Sequence, residues 1–221
     1  MKYVLATSAR RLIRSIPLAK PCVGWFRHMR AMRRWRALGG ENTILLELGS
    51  GAKKGENGWI TVDIGGADIN YDLRRGIPLR DCCVDGIYTS HMLEHIPYKE
   101  LIEFISECKR VLKNGGYLSV CVPNAALYIE GYISKTNPLS ESHTFYQPAV
   151  VETGSFLDQV NYIAYMDGHH HYLFDKENLV NTLKMGGFEK VVLRDFDSSL
   201  DLESRHFGSI YAIAYRQFEQ R

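Results

Sequence analysis

The stretch that decides the fold runs from Thr43 to Ile64 and reads TILLELGSGAKKGENGWITVDI. Its first six residues, Thr43–Leu48, form a mostly apolar run that is long enough for a buried parallel strand. A Gly49-Ser50-Gly51 turn follows, and a second short strand, Trp59–Val62, ends on Asp63. In a doubly wound α/β sheet such a turn lets the backbone approach a ligand, and such an acid accepts hydrogen bonds from ribose hydroxyls. The stretch therefore predicts a site for an adenosine-containing ligand.

The composition is that of a soluble globular protein. The chain has 221 residues, of which 45% are apolar and 24% charged, enough for one sizeable domain with an appended arm or cap. No apolar run approaches the ~20 residues that span a bilayer. Five cysteines without a CxxC pair indicate free thiols in a reducing compartment and no cysteine-based zinc site. We therefore expect a cytoplasmic protein.

Strands and helices alternate after the opening stretch. Strands are predicted at Ala67–Tyr71, Asp85–Thr89, Tyr117–Val122, Phe188–Leu193 and Ser209–Tyr215, and helices at Tyr98–Leu112 and Asp175–Met185. This alternation predicts a doubly wound α/β sheet in a domain over residues 41–221. Residues 124–171 interrupt the pattern with prolines, glycines and five tyrosines, which is typical of a cap insertion or binding loop.

The first 40 residues differ from the rest in charge. They contain ten Lys and Arg and no acid, so the remainder carries 17 basic and 25 acidic side chains. We predict a basic N-terminal arm over residues 1–40, with an amphipathic helix at Trp25–Leu38. Its apolar side would carry Trp25, Met29 and Met32, with most of the arginines opposite.

Three interpretations of this arm stay open. The helix could pack on the acidic domain, or residues 10–38 could lie on an anionic membrane surface with Trp25 at the boundary. The third is nucleic-acid contact or organellar targeting, because an Arg-rich, acid-free segment fits both. We do not expect nucleic acid as the partner, and the sequence gives no oligomeric state.

The spacing after the glycine turn distinguishes between possible adenosine-containing ligands. A dinucleotide pyrophosphate is held by the N-terminus of a helix that follows the turn, but seven glycine-rich residues between Gly51 and Trp59 leave no room for one. S-adenosylmethionine needs an acid for its ammonium, N–H groups for its carboxylate and a second acid for its ribose. Glu47, the glycine turn and Asp63 could supply these groups.

Three motifs carry a resemblance to a known family: LELGSG at residues 46–51, MLEH at 92–95 and VLKNGG at 111–116. Together they resemble class I S-adenosylmethionine-dependent methyltransferases, in the type 11-like group that includes enzymes of bacterial surface-polysaccharide pathways. The resemblance implies a seven-stranded Rossmann-like sheet of order 3-2-1-4-5-7-6 with the last strand antiparallel. It also implies that Asp63 binds the ribose, Asp72 lies near the adenine amino group and residues 90–93 line the cofactor.

The predicted site has a cofactor-binding set and an active-site set. The cofactor-binding residues are Glu47, Gly49, Ser50, Gly51, Asp63, Ile64, Asp72, Leu73, Ser90, His91 and Leu93. His95 is predicted in the active site, and His169 or His171 as the base, because histidine titrates near neutral pH. Asp167 and these last two histidines could hold a metal, but we expect none because class I methyl transfer seldom needs one. Glu203, Arg205 and His206 could reach the acceptor or only fix their loop.

The predicted function is methyl transfer from S-adenosylmethionine to an oxygen or nitrogen of a small-molecule or glycan-like acceptor. If the arm binds lipid, a lipid-linked acceptor at the inner face of the membrane would fit. Two alternatives stay open. One is an NAD-dependent oxidoreductase, and the other a non-catalytic adenosyl-binding module recruited by its basic arm.

Overall fold

The computed structural model describes residues 19–136 and 152–217, with backbone alone for residues 19–23. Its strands are β1 Leu45–Leu48, β2 Trp59–Asp63, β3 Ile69–Asn70, β4 Val84–Ser90, β5 Leu112–Pro123, β6 Lys190–Leu193 and β7 Ser209–Tyr215. They form one sheet in the order β3-β2-β1-β4-β5-β7-β6. Strand β7 is antiparallel to both neighbours, and the other pairs are parallel. The predicted fold class and strand order are confirmed.

In the described ranges the sheet is accompanied by five α-helices: α1 Ala19–Leu38, α2 Tyr98–Val111, α3 Ala125–Ser134, α4 Leu157–Tyr165 and α5 Lys176–Met185. Helix α2 buries Leu101, Ile105 and Cys108 against the sheet, as the spacing of its apolar residues predicts. Helix α5 begins after Asp175, whose carboxylate accepts a hydrogen bond from the N–H of Asn178 at 2.7 Å. No helix in the described ranges is long and apolar enough to cross a membrane.

The segment between β1 and β2 contains no helix, which matches the loop predicted there. Asp68 holds this loop, since its Oδ2 accepts hydrogen bonds from the N–H of Gly55 at 2.9 Å and from Thr61 Oγ1 at 2.9 Å. Burial would raise the pKa of Asp68, but these hydrogen bonds outweigh it and hold the pKa below its usual range. A Cβ on Gly55 would lie 1.8 Å from the carbonyl oxygen of Trp59, so the loop needs glycine there.

The junction between α2 and β5 differs from the prediction. Helix α2 ends at Val111, and Leu112 is already extended, so residues 113–116 of the VLKNGG motif lie inside β5 instead of before the strand. Gly115 has a φ of 81°. A Cβ on Gly116 would come within 2.9–3.2 Å of three backbone oxygens. The glycines thus shape an irregular start to the strand, where pairing with β4 shifts register.

The insertion contains two helices that its composition does not indicate. Helices α3 and α4 enclose a small core of Ala125, Tyr128, Tyr162 and Ile163. Two of its tyrosines therefore pack inside the insertion, and Tyr132 is exposed at its surface. Residues 137–151, which include Tyr146, lie outside the described ranges.

The C-terminal half of α1 is built into the main core. Ala31, Trp35 and Leu38 are buried, and the Trp35 ring meets the Tyr71 ring edge-on at 5.8 Å. Of the predicted stripe of Trp25, Met29 and Met32, Met32 packs against this core, whereas Trp25 is 58% exposed. The helix turns its Trp35 side to the sheet, since that side carries the ring that fills the space beside β3.

We expect Trp35→Ala to lower the free energy of unfolding by about 3–5 kcal/mol, because it removes a fully buried ring and leaves a cavity. Trp25→Ala on the same helix is the matched control and should change it by less than about 0.5 kcal/mol. Chemical denaturation of both variants measures the difference. Equal losses would contradict the packing described for α1.

Candidate active site

The glycine turn after β1 is tied to the end of β2. Asp63 Oδ2 accepts a hydrogen bond from the N–H of Gly51 at 2.9 Å, and its Oδ1 accepts one from the N–H of Ile64 at 2.6 Å. The N–H of Gly49 donates to the carbonyl of Val62 at 2.9 Å. Gly49 and Gly51 have φ values of 72° and 70°, in the left-handed region that glycine enters without strain. The predicted turn and the predicted acid are therefore one unit.

Glu47 is buried at the end of β1, and Lys53 compensates its charge. The Lys53 Nζ lies 2.7 Å from Glu47 Oε1, so an ammonium group already occupies the position that the sequence predicts for the methionine ammonium. A buried carboxylate needs such a cationic or N–H partner. A bound ligand with its own ammonium would replace Lys53 or share the carboxylate with it.

Two adjoining cavities open at the carboxyl edge of the parallel strands, where α/β sheets bind ligands. The larger, of about 750 Å³, is lined by the predicted residues Gly49, Asp63, Ile64, Asp72, Leu73 and His95. The smaller, of about 290 Å³, is lined by Glu47, Gly49, Ser50, Gly51, Asp63, Ser90, His91 and His95. Of the predicted cofactor-binding residues only Leu93 lines neither. It is buried in the core, because the short helical turn Leu93–His95 directs it inward and leaves Met92 at both cavities.

Asp72 lines the larger cavity, and its carboxylate accepts hydrogen bonds from Arg74. Arg74 donates to both carboxylate oxygens, from Nε to Oδ1 at 2.9 Å and from NH2 to Oδ2 at 2.8 Å. These bonds hold the pKa of Asp72 below its usual range. An ionised acceptor is what an amino group of a ligand requires.

Sequence reasoning missed Tyr88 and Leu202, which line the smaller cavity, and left Arg205 undecided. The Arg205 guanidinium donates from NH1 to Ser90 Oγ at 3.2 Å. Tyr88 donates to Asp201 at 3.0 Å. The pairs with Ser90 and Asp201 join residues more than 100 positions apart, so no local motif could indicate them.

The histidines that follow β4 are held by neighbours on other elements. Burial lowers the pKa of His91 to about 3, and its Nε2 lies 2.8 Å from Ser209 Oγ. Burial also lowers the pKa of His95, whose Nδ1 lies 2.9 Å from the carbonyl oxygen of His169. Burial raises the pKa of Glu94, between them, to about 8. The predicted bases His169 and His171 are exposed, and their side chains line neither cavity.

Part of the chain is similar to known proteins. Residues 49–120 match the family described as "Methyltransferase domain". A relative from Mycolicibacterium smegmatis, named "Probable S-adenosylmethionine-dependent methyltransferase", is 35% identical over 77 residues, which are 33% of this chain and 28% of the relative. The chain thus spans less than a third of that relative's length, and the activity of the whole protein is a proposal. The matches confirm the predicted resemblance to S-adenosylmethionine-dependent methyltransferases.

Solved structures of S-adenosylmethionine-dependent methyltransferases are also similar at low identity. One from Archaeoglobus fulgidus is 18% identical, with 86% of this chain and 94% of that chain covered and a TM-score of 0.46. One from Thermotoga maritima is 14% identical, with 90% and 95% covered and a TM-score of 0.47. Similarities at these TM-scores carry no argument about substrate.

Gly49→Ala should destabilise the protein strongly, because the new Cβ would lie 2.3 Å from Met92 Cγ in a backbone that disfavours side chains. Gly51→Ala is the matched control: it has a similar φ but nothing within 4 Å of its Cβ. We expect a loss of about 1 kcal/mol for the control, from backbone strain alone, and at least about 1–3 kcal/mol more for Gly49→Ala. Urea denaturation measures both, and equal losses would contradict the close packing of Met92 on the turn.

Proposed function

We propose that this protein transfers a methyl group from S-adenosylmethionine to an oxygen or nitrogen of a small-molecule or glycan-like acceptor. The observation that carries the proposal is the Asp63-bound glycine turn, which opens on a cavity of about 750 Å³. That volume suits a small-molecule cofactor. The turn lies within the part of the chain that matches the methyltransferase domain.

The two cavities suit the two ends of the cofactor. The smaller one contains Glu47 and the glycine turn, which offer a carboxylate to the methionine ammonium and N–H groups to its carboxylate. The larger one contains Asp72 and Tyr71, with Asp63 at its junction with the smaller one, so the ribose would lie between the two ends. In this arrangement the ion pair between Lys53 and Glu47 breaks when the ligand's ammonium group binds Glu47.

The methyl transfer requires the protein to align the acceptor with the methyl group and does not require a covalent intermediate with the protein. Methyl transfer from a sulfonium is a direct displacement, so the protein has to hold the acceptor atom in line with the methyl group and exclude water. His95 lines both cavities, and we assign it to the active site. The sequence predicts His169 or His171 as the base, but neither lines a cavity, so we assign no base.

The outer face of α1 supports membrane docking as part of this function. Trp25 and Phe26 are 58% and 65% exposed, and five exposed arginines lie on the same helix. Exposed aromatic rings beside basic residues suit the boundary of an anionic bilayer. A surface-bound enzyme would meet a lipid-linked acceptor, for example a glycan intermediate of a bacterial surface-polysaccharide pathway. Trp35 packs in the main core, and no described residue buries Trp25 or Phe26.

Asp63→Asn should weaken S-adenosylmethionine binding by about 1–3 kcal/mol, or roughly 5- to 150-fold in Kd, because a charged hydrogen-bond acceptor is lost. Glu56→Gln, which neutralises an exposed carboxylate on the neighbouring loop, should leave the Kd unchanged. Calorimetry measures both, with thermal unfolding as a check that Asp63→Asn folds. Tight binding of NAD and none of S-adenosylmethionine would instead favour the oxidoreductase.

The protein should float with vesicles that contain phosphatidylglycerol and not with pure phosphatidylcholine. The double variant Trp25→Ser/Phe26→Ser should lose most of this flotation, and added salt should weaken it in the unchanged protein. Val192→Ser/Leu193→Ser, which replaces two exposed apolar residues on β6, is the matched control and should still float. Failure of the unchanged protein to float would end the membrane part of the proposal.

A further inference from the structure

Glu94 lies at the centre of a cluster of histidines. It is 2% exposed, and neither carboxylate oxygen has a hydrogen-bond partner among the described residues. His91 Nδ1 is 3.8 Å and His95 Nε2 is 4.0 Å from its Oε1. The ring of His170, which is also buried, meets the ring of His95 at 4.8 Å.

Backbone carbonyls fix the protonation of two of these rings. His95 Nδ1 lies 2.9 Å from the carbonyl oxygen of His169, and His170 Nδ1 lies 2.7 Å from that of Ile163. A carbonyl oxygen can only accept, so each Nδ1 must carry a hydrogen and donate it. In the neutral ring each Nε2 is then a bare lone pair.

Two linked hydrogen bonds determine which nitrogen of the third ring, that of His91, carries the hydrogen. Ser209 Oγ donates its only hydrogen to the carbonyl oxygen of Arg205 at 2.7 Å. Towards His91 Nε2, at 2.8 Å, the same hydroxyl must therefore accept. The hydrogen of His91 is on Nε2, and its Nδ1 presents a lone pair to Glu94.

The cluster thus combines a buried carboxyl group with three ring lone pairs, and no neighbouring group among the described residues donates a hydrogen bond to either Glu94 oxygen. Other buried carboxylates in the described ranges are compensated: Glu47 by Lys53, Asp201 by Arg194 and Tyr88, and Asp158 by Thr153. An uncompensated buried carboxylate costs several kcal/mol. A cation can bind the carboxyl oxygen and the ring lone pairs together, because all of them are electron-pair donors.

We propose that Glu94, His95 and His170 bind one divalent transition-metal ion of the zinc class, through a carboxylate oxygen and two Nε2 atoms. One ligand atom from each residue lies within 4.8 Å of the other two. Zinc bonds of about 2.0–2.1 Å place ligand atoms roughly 3.4 Å apart, so side-chain shifts of about an ångström complete the site. His91 Nδ1 is a further donor beside the carboxylate.

The donor types select the class of ion. Two imidazoles and one carboxylate suit zinc and its neighbours, whereas calcium and magnesium take oxygen ligands. The Nδ1–H bonds to backbone carbonyls are the arrangement that orients metal-binding histidines. The sequence pointed to a different set, Asp167 with His169 and His171, and both of those histidines are exposed.

Such an ion would join the insertion to the sheet edge. His170 follows the insertion helix α4, whereas Glu94 and His95 follow β4. The two segments already meet, since the N–H of His171 donates to the carbonyl of Glu94 at 2.8 Å. A metal bond between their side chains would therefore stabilise the folded protein. This site does not depend on the proposed methyl transfer.

Calorimetric titration of the tag-free full chain with Zn²⁺, after treatment with a chelator, tests the site. We expect one ion per chain and a zinc-dependent rise in the unfolding temperature. His170→Gln and Glu94→Gln should each weaken Zn²⁺ binding by roughly ten- to a hundredfold or more. His171→Gln is the matched control, because it removes the adjacent exposed imidazole, and should bind like the unchanged protein.

Absence of Zn²⁺ binding by the unchanged protein would overturn the proposal, as would equal binding by the His170→Gln variant. Circular dichroism checks that each variant is folded, and Glu94→Gln keeps the test decisive if His170→Gln is not. A loss that appears only in His171→Gln would point to the exposed histidines instead. S-adenosylmethionine binding, measured separately on the same samples, shows whether the proposed function fails independently.

Discussion

The structure depends on one carboxylate, that of Asp63, which binds the turn after β1 to the end of β2. Its two oxygens accept hydrogen bonds from the N–H groups of Gly51 and Ile64. Because the turn backbone has positive φ at Gly49 and Gly51, its amides point where a side-chain-bearing residue would not direct them without strain. The same bond places Asp63 between both cavities, so the geometry that holds the turn also forms the candidate site.

Most of the sheet could be predicted from the sequence because its signals are local. A buried parallel strand is a short apolar run, and β1, β2 and β4 read as such runs between turn residues. The order of the strands came from the resemblance, since pairing across the sheet leaves no mark in any one segment. Helices α3 and α4 were missed for a related reason: short helices in a stretch rich in glycine and tyrosine are stabilised by their mutual packing, around Tyr128 and Tyr162, rather than by propensity.

The same difference between local signals and long-range contacts explains which site residues could be predicted. The acids and glycines of the cofactor-binding set stand next to strand ends and were predictable, whereas Arg205 reaches Ser90 across 115 positions. The direction of α1 shows the limit of periodicity: Trp25 and Trp35 lie on different sides of one helix, and only the space beside Tyr71 decides which of them is buried. The pairing of Glu47 with Lys53 is local, but whether a lysine or a ligand compensates the acid depends on what is bound.

The short helical turn Leu93–His95 after β4 links the glycine turn, the two cavities and the histidine cluster. Met92 fills the space that the missing Cβ of Gly49 leaves, and His95 faces both cavities two residues after the buried Leu93. Residues three apart share a face of such a 3₁₀ turn, so Met92 and His95 both face the cavities, whereas Leu93 and Glu94 between them are buried, Glu94 in the histidine cluster. The burial of Glu94 is therefore a consequence of placing Met92 and His95 at the cavities. Because that placement costs the desolvation of a carboxylate, a bound cation would offset the cost where it arises.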